Sequence, residues 1–159
     1  MSRQQGFSLI ELVVVIIVLG ILAATALPRF MNNSGDARSA VMKTVEGVMR
    51  STNNMLYAKA AAVGKENALT HTITLPSGVE VRLKYGYASN LYQLLLATEL
   101  NPISDFVVPT ADGTDLATMV IQYANANVPA GCQISYTGPT AVGLSPTYVS
   151  TYAAGTTGC

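Results

Sequence analysis

Tryptophan is absent, histidine occurs once, at His71, and charged residues make up only 11% of the chain. Each shortage removes a class of function. His71 has no Ser, Cys or acidic partner at a recognisable spacing, so no nucleophile–base pair is in sight. The formal net charge is zero, and no basic stretch is long enough to suggest nucleic-acid binding. No acidic run marks a disordered tail. Asp105, Asp112 and Asp115, around Gly113, resemble a calcium turn but lack the full EF-hand ligand pattern, so they read as turn residues. The sequence implies no enzyme activity, metal or cofactor.

Charged residues usually make up about a quarter of a chain. The deficit here has two sources: an apolar block at the N-terminus and a C-terminal half rich in Thr, Ser, Ala, Gly and Tyr. The 159 residues suffice for one domain plus an attached segment. A short polar start, with Arg3 its one charge, leads to an apolar run from Leu12 to Leu27 broken only by Gly20 and Thr25. From Phe7 to Leu27 the stretch is about the length that spans a bilayer as a helix. Arg3 would then stay in the cytoplasm, with the rest of the chain outside. A plain anchor, a buried core helix and a signal peptide cut at Ala24-Thr25-Ala26 compete with any more specific reading. The core helix is set aside because so long and apolar a run is unusual in a small soluble domain, and Glu11 fits neither of the other two. An ionisable residue inside a membrane segment is costly and usually marks a function.

Beyond Pro28, which should kink a helix, Ala37, Val41, Val45, Val48, Thr52 and Met55 recur at helical spacing. This stripe is expected to pack on the rest of the chain. Lys43, Glu46, Arg50 and Asn53 lie on another face, with Glu46 and Arg50 forming a favourable i,i+4 pair. The helix should end near Ala62, before Gly64. Asn32-Asn33-Ser34-Gly35-Asp36 reads as a turn, and taken alone it would break the helix.

His71–Leu75 and Val79–Tyr85 alternate around Pro76-Ser77-Gly78, as in a hairpin. Ser89–Leu100 reads as a short helix capped by Ser89 or Asn90, with Pro102 beyond it. Asp112-Gly113 marks a turn. Thr118–Tyr123, Gln133–Tyr136 and Thr147–Tyr152 read as further strands. The tyrosines suit half-buried strand positions, or alternatively a sugar-binding surface. The two cysteines, Cys132 and Cys159, imply one disulfide if the chain is exported and free thiols if it is not.

Gly6-Phe7-Ser8-Leu9-Ile10-Glu11-Leu12 closely resembles the cleavage and methylation motif of type IV prepilins, in the type IVa class. The resemblance implies cutting after Gly6 by a prepilin peptidase, which also N-methylates the new terminal residue, Phe7. It implies a leader at 1–6 and a helix half at 7–28 that lies first in the inner membrane and then in the filament core. An amphipathic half follows at 29–62, and then a globular head at 63–159. The fold implied is α+β, one long N-terminal helix packed on an antiparallel β-sheet head. Cys132 and Cys159 fall where such pilins carry a C-terminal disulfide loop, 132–159. Glu11 is expected to pair with the Phe7 amine of a neighbouring subunit, and Gly20 and Pro28 to mark where the helix bends. The implied partners are identical subunits in a helical filament, the processing peptidase and the pilus assembly machinery. The implied location is the inner membrane for the precursor and an extracellular pilus afterwards.

Leu27-Pro28-Arg29-Phe30 and Gly35-Asp36-Ala37-Arg38 further resemble the mannose-sensitive haemagglutinin pilins, which implies attachment, with surface glycans as possible targets. Two alternatives share parts of the pattern. A type II secretion pseudopilin has the same N-terminal motif, but usually a calcium site in place of the disulfide. A secreted carbohydrate-binding module would be released by signal peptidase at Ala26.

Overall fold

The computed structural model describes residues 8–98, 100, 105–109, 118–152 and 158–159, with residues 26–33 described by their backbone alone. Gly6, Phe7, Pro102, Asp112, Gly113 and Asp115 lie outside the described residues, and Pro28 is described without its side chain. The chain divides into two compact units, Met1–Ser34 and Gly35–Cys159.

Helix α1 runs from Leu9 to Ala62 through Gly20, Pro28 and the turn-like passage at 32–36. The break read from that passage alone does not occur. Once flanking turns are formed, extending a helix costs far less than nucleating one, so a few poor formers are tolerated. Just after this passage the Ser39 Oγ donates to the Asp36 carbonyl at 2.8 Å, bonding back into the preceding turn. Beyond Ala62 the chain leaves the helix through Gly64, in the left-handed region at φ 65°.

Within the second unit the buried line of α1 is Met42, Val45, Met49, Asn53, Leu56 and Ala60. This corrects the sequence expectation. Of the anticipated stripe only Val45 is buried, while Val41, Val48 and Met55 are 43%, 38% and 44% exposed. Asn53, expected on the polar face, is 1% exposed. Two apolar rows lie side by side on this helix, and the row carrying the methionines faces the core. A buried amide is tolerated in that row because the sheets supply hydrogen-bond partners for it, described below.

Strands β1 (His71–Thr74), β2 (Glu80–Lys84) and β3 (Tyr87–Ala88) form an antiparallel sheet in that order. The β1–β2 turn closes through Gly78 at φ 82°, whose N–H donates to the Leu75 carbonyl at 2.9 Å. Helix α2 (Leu91–Thr98) begins at Asn90, whose Oδ1 accepts the Gln93 N–H at 3.0 Å, a side-chain N-cap. A second antiparallel sheet, in the order β4-β5-β6-β7, contains β4 (Phe106–Val107), β5 (Thr118–Tyr123), β6 (Gln133–Thr137) and β7 (Thr147–Ser150). The two-residue strands β3 and β4 were not anticipated. The core joins the buried face of α1 to Val81 and Leu83 of β2, Leu91 and Leu94 of α2, Ile121 of β5, and Ile134 and Tyr136 of β6. The fold is therefore α+β: a long N-terminal helix with antiparallel sheets.

Candidate functional site: the N-terminal motif and the anchored C-terminal segment

In the first unit the start of α1 is built by Ser8 and Glu11. The Ser8 N–H and Oγ each donate to Glu11 Oε2 at 2.9 Å, and the Glu11 N–H donates to Ser8 Oγ at 3.3 Å. The Ser8 carbonyl accepts the Leu12 N–H at 3.3 Å, opening the helical ladder. This is a capping box, in which serine and glutamate satisfy each other's orphaned backbone donors. The Ser-x-x-Glu spacing was present in the sequence, but only Glu11 drew attention there. The carboxylate also lies at the positive end of the helix dipole.

Beyond this box, the apolar side chains from Leu9 to Leu22 are all exposed. A helix apolar on every side normally lies in a protein core or in a membrane. Apart from the helix's own backbone, nothing described lies within 4 Å of where a Cβ on Gly20 would sit, so no described contact requires glycine there. Among the described residues no helix is long and apolar enough to cross a membrane. The apolar block of the sequence continues past Thr25 into residues whose side chains are not described.

In the second unit four positions on α1 hold the C-terminal segment. Arg38 Nη1 donates to the Cys159 carbonyl at 2.7 Å. Glu46 accepts from Arg50 through Oε1 and from the Tyr152 hydroxyl through Oε2. The Arg50 guanidinium lies 4.3 Å from the Tyr148 ring centre, a cation–π contact. Asn53 Nδ2 donates to the hydroxyls of Tyr136, at 3.0 Å, and Tyr148, at 2.8 Å. Asn53 Oδ1 accepts the Ala88 N–H at 2.9 Å, and the Tyr136 hydroxyl donates to the Ala88 carbonyl at 2.7 Å. One buried amide thus ties α1 to β3, β6 and β7.

The ionisable groups reflect this packing. Burial pushes the phenols of Tyr136 and Tyr148 above the ordinary tyrosine range. Burial alone would raise the Glu46 carboxyl, but the bonds from Tyr152 and Arg50 outweigh it and hold the group below its usual range.

Cys132 and Cys159 are joined by a disulfide with Cα atoms 4.8 Å apart. Both are buried. Beside the bridge the backbone of Gly131 meets that of Gly158. A Cβ on Gly131 would lie 2.7 Å from the Gly158 Cα, closer than real side chains approach. The Val128 N–H donates to the Gly158 carbonyl at 3.0 Å.

The remaining sequence candidates are not brought together. His71 is half-buried on β1 opposite Leu83, and Asp105 is exposed. Among the described residues no cluster of His, Cys, Asp or Glu could hold a metal ion. The tyrosines do not line up as one exposed surface. Tyr136 is buried, Tyr148 and Tyr152 bind α1, Tyr57 stacks on Tyr87 at 4.7 Å, and Tyr123 meets Phe106 edge-on.

Residues 1–27 match the family described as the prokaryotic N-terminal methylation motif. The chain therefore belongs, at its N-terminus, to the class of proteins that carry this motif ahead of an apolar helix. The relatives narrow the class. The type IV major fimbrial protein FimA of Dichelobacter nodosus is 26% identical over 155 residues, covering 77% of this chain and 96% of its own length. The type IV narrow pilus major component PilA5 of Thermus thermophilus is 36% identical over 61 residues, covering 38% of this chain. That match spans 53%, about half, of the Thermus protein. The type II secretion system core protein G of Klebsiella pneumoniae is 34% identical over 93 residues, covering 52% of this chain and 66% of its own length. No solved structure matches the chain. The N-terminal motif makes the chain similar to these fimbrial and pilus proteins, and the α+β fold of a long helix with antiparallel sheets is consistent with a pilin.

Proposed function

We propose that this protein is a structural subunit of a type IV pilus, cut after Gly6, N-methylated on Phe7 and polymerised through its N-terminal helix into a surface filament used for attachment. The observation that carries the reading is the segment from Leu9 to Leu22, exposed on every side and headed by a single carboxylate. Such a segment needs cover from lipid before assembly and from other copies after it. On this reading residues 1–6 are a leader, 7–28 lie in the inner membrane and later in the filament core, 29–62 carry the head, and 63–159 form it.

Glu11 then has two satisfied states. Before assembly its carboxylate closes the capping box with Ser8. In the filament it meets the Phe7 amine of a neighbour. A buried charge stripped of its partner costs about 3–5 kcal/mol, so a misregistered subunit would be rejected. Gly20 and Pro28 are where the helix would bend to fit the filament. The processing peptidase and the assembly machinery are the other partners. The likeness around Leu27–Phe30 and Gly35–Arg38 supports a subunit of the mannose-sensitive haemagglutinin kind, with surface glycans as targets.

The test is Glu11→Ala in the native host. The expected outcome is a processed, membrane-inserted chain with no surface filaments. Normal filaments from this variant would defeat the role given to Glu11.

The similarity to the Klebsiella secretion protein favours a second reading, a pseudopilin in a short periplasmic piston. The Cys132–Cys159 bridge supports the pilus instead, because main pseudopilins usually carry a calcium site in place of the disulfide. Recovery of the protein from sheared surface material separates the two.

A further inference from the structure

The last charged side chain is that of Asp115, so β5, β6 and β7 and the residues after them carry no charged side chain. The outward residues of this sheet bond to one another: the Thr118 and Thr137 hydroxyls lie 2.9 Å apart, and Gln122 Nε2 donates to Gln133 Oε1 at 2.8 Å. The β6–β7 connection turns at Gly143, and Val142 and Leu144 beside it are each exposed over more than half their surface, as is Val149 on β7. Strand β7 is an edge strand without a charged residue or a proline. Natural proteins usually guard such edges, because unguarded ones associate.

A second apolar patch lies on α1: Val41, Val48 and Met55, the row left exposed when the methionine row turned inward. At about 100° per residue this row sits roughly half a turn around the helix from Glu46 and Arg50, which hold β7 through Tyr152 and Tyr148. The helix row and strand β7, which the β6–β7 connection leads into, therefore belong to opposite flanks of the same unit. A chain with two different apolar patches on opposite flanks is suited to head-to-tail contact, which yields an open filament when the rotation does not close.

We propose that the β6–β7 tip of one copy (Val142 and Leu144), together with Val149 on the adjoining strand β7, docks on the Val41–Val48–Met55 row of the next copy. The occupant is a second copy because a filament sets copies of this chain against one another and the side chains named on both patches are all apolar, with Lys59 at the end of the helix row left at the rim. The proposal rests on the filament reading and names the contact between heads that accompanies it.

The test is a paired substitution, Val48→Cys with Leu144→Cys, in the full chain assembled by the native host. Sheared filaments are oxidised and run without reductant. The expected result is a ladder of covalent multimers of this chain, absent from either single variant. Filaments without the ladder, or a cross-link to a different protein, overturn the proposed contact and leave the filament reading standing. Wild-type protein that forms no filaments defeats the filament reading and this contact with it. As a second measurement, Leu144→Lys should remove most of the sheared filament, and adding Val48→Glu should restore it. Failure of that rescue also overturns the pairing.

Discussion

Replacing Asn53 by alanine should destabilise the head more than any other single polar change on α1. The amide makes three hydrogen bonds in a buried setting: to the Tyr136 hydroxyl, to the Tyr148 hydroxyl and from the Ala88 N–H. Each is worth about 1 kcal/mol net, and a buried donor left unpaired costs about 1–3 kcal/mol. The Ala88 N–H would be such a donor. The Tyr136 hydroxyl would keep its bond to the Ala88 carbonyl. Together these give a loss of about 3–5 kcal/mol, a large part of the 5–15 kcal/mol that typically separates folded from unfolded. The assay is denaturant unfolding of the full chain in detergent, followed by near-ultraviolet circular dichroism. The tyrosines supply that signal, since tryptophan is absent. A double-mutant cycle with Tyr136→Phe should show coupling of about 1–3 kcal/mol. A loss below about 1 kcal/mol for Asn53→Ala, with no coupling, would refute the view that this amide joins the helix to both sheets.

Two further outcomes follow from the same geometry. The folded chain holds the Glu46 carboxyl below its usual range, so the stabilisation it provides is present above the ordinary carboxylate pKa and is lost as pH falls through the folded value. Unfolding midpoints should therefore drop below about pH 4, and Glu46→Gln should flatten that part of the profile; an unchanged acid limb would count against the Glu46–Tyr152 bond. Gly131→Ala should destabilise by about 1–3 kcal/mol, because the new Cβ would meet the Gly158 backbone at 2.7 Å with no flexible side chain to give way. A wild-type unfolding midpoint for that variant would show that the two backbones do not approach so closely.

The parts of the fold visible in the sequence were those set by neighbouring residues. The β1–β2 hairpin followed from alternation around Pro76-Ser77-Gly78, and α2 from the cap at Asn90. The N-terminal motif was plain from the fixed spacing of Gly6, Phe7 and Glu11, although the Ser8–Glu11 box within it was passed over. Distant residues decided what was missed. Periodicity picked out the row of Val41, Val48 and Met55 on α1 and passed over the neighbouring row of Met42, Met49 and Leu56, which is the buried one. The choice depends on Tyr136 and Tyr148, which are far along the chain and provide partners for Asn53. The passage at 32–36 looked like a turn because Asn, Ser, Gly and Asp favour turns locally, and the helix on either side overrides that preference. The contacts of Arg38 with Cys159 and of Glu46 with Tyr152 have no local signature at all.

The filament reading is tested most directly by the intact mass and first residue of the protein in surface material sheared from its native host. The account predicts a chain that begins at N-methylated Phe7, with Cys132 and Cys159 oxidised, recovered in filaments. A chain that begins at Leu27, or one found only in the periplasm, would contradict it.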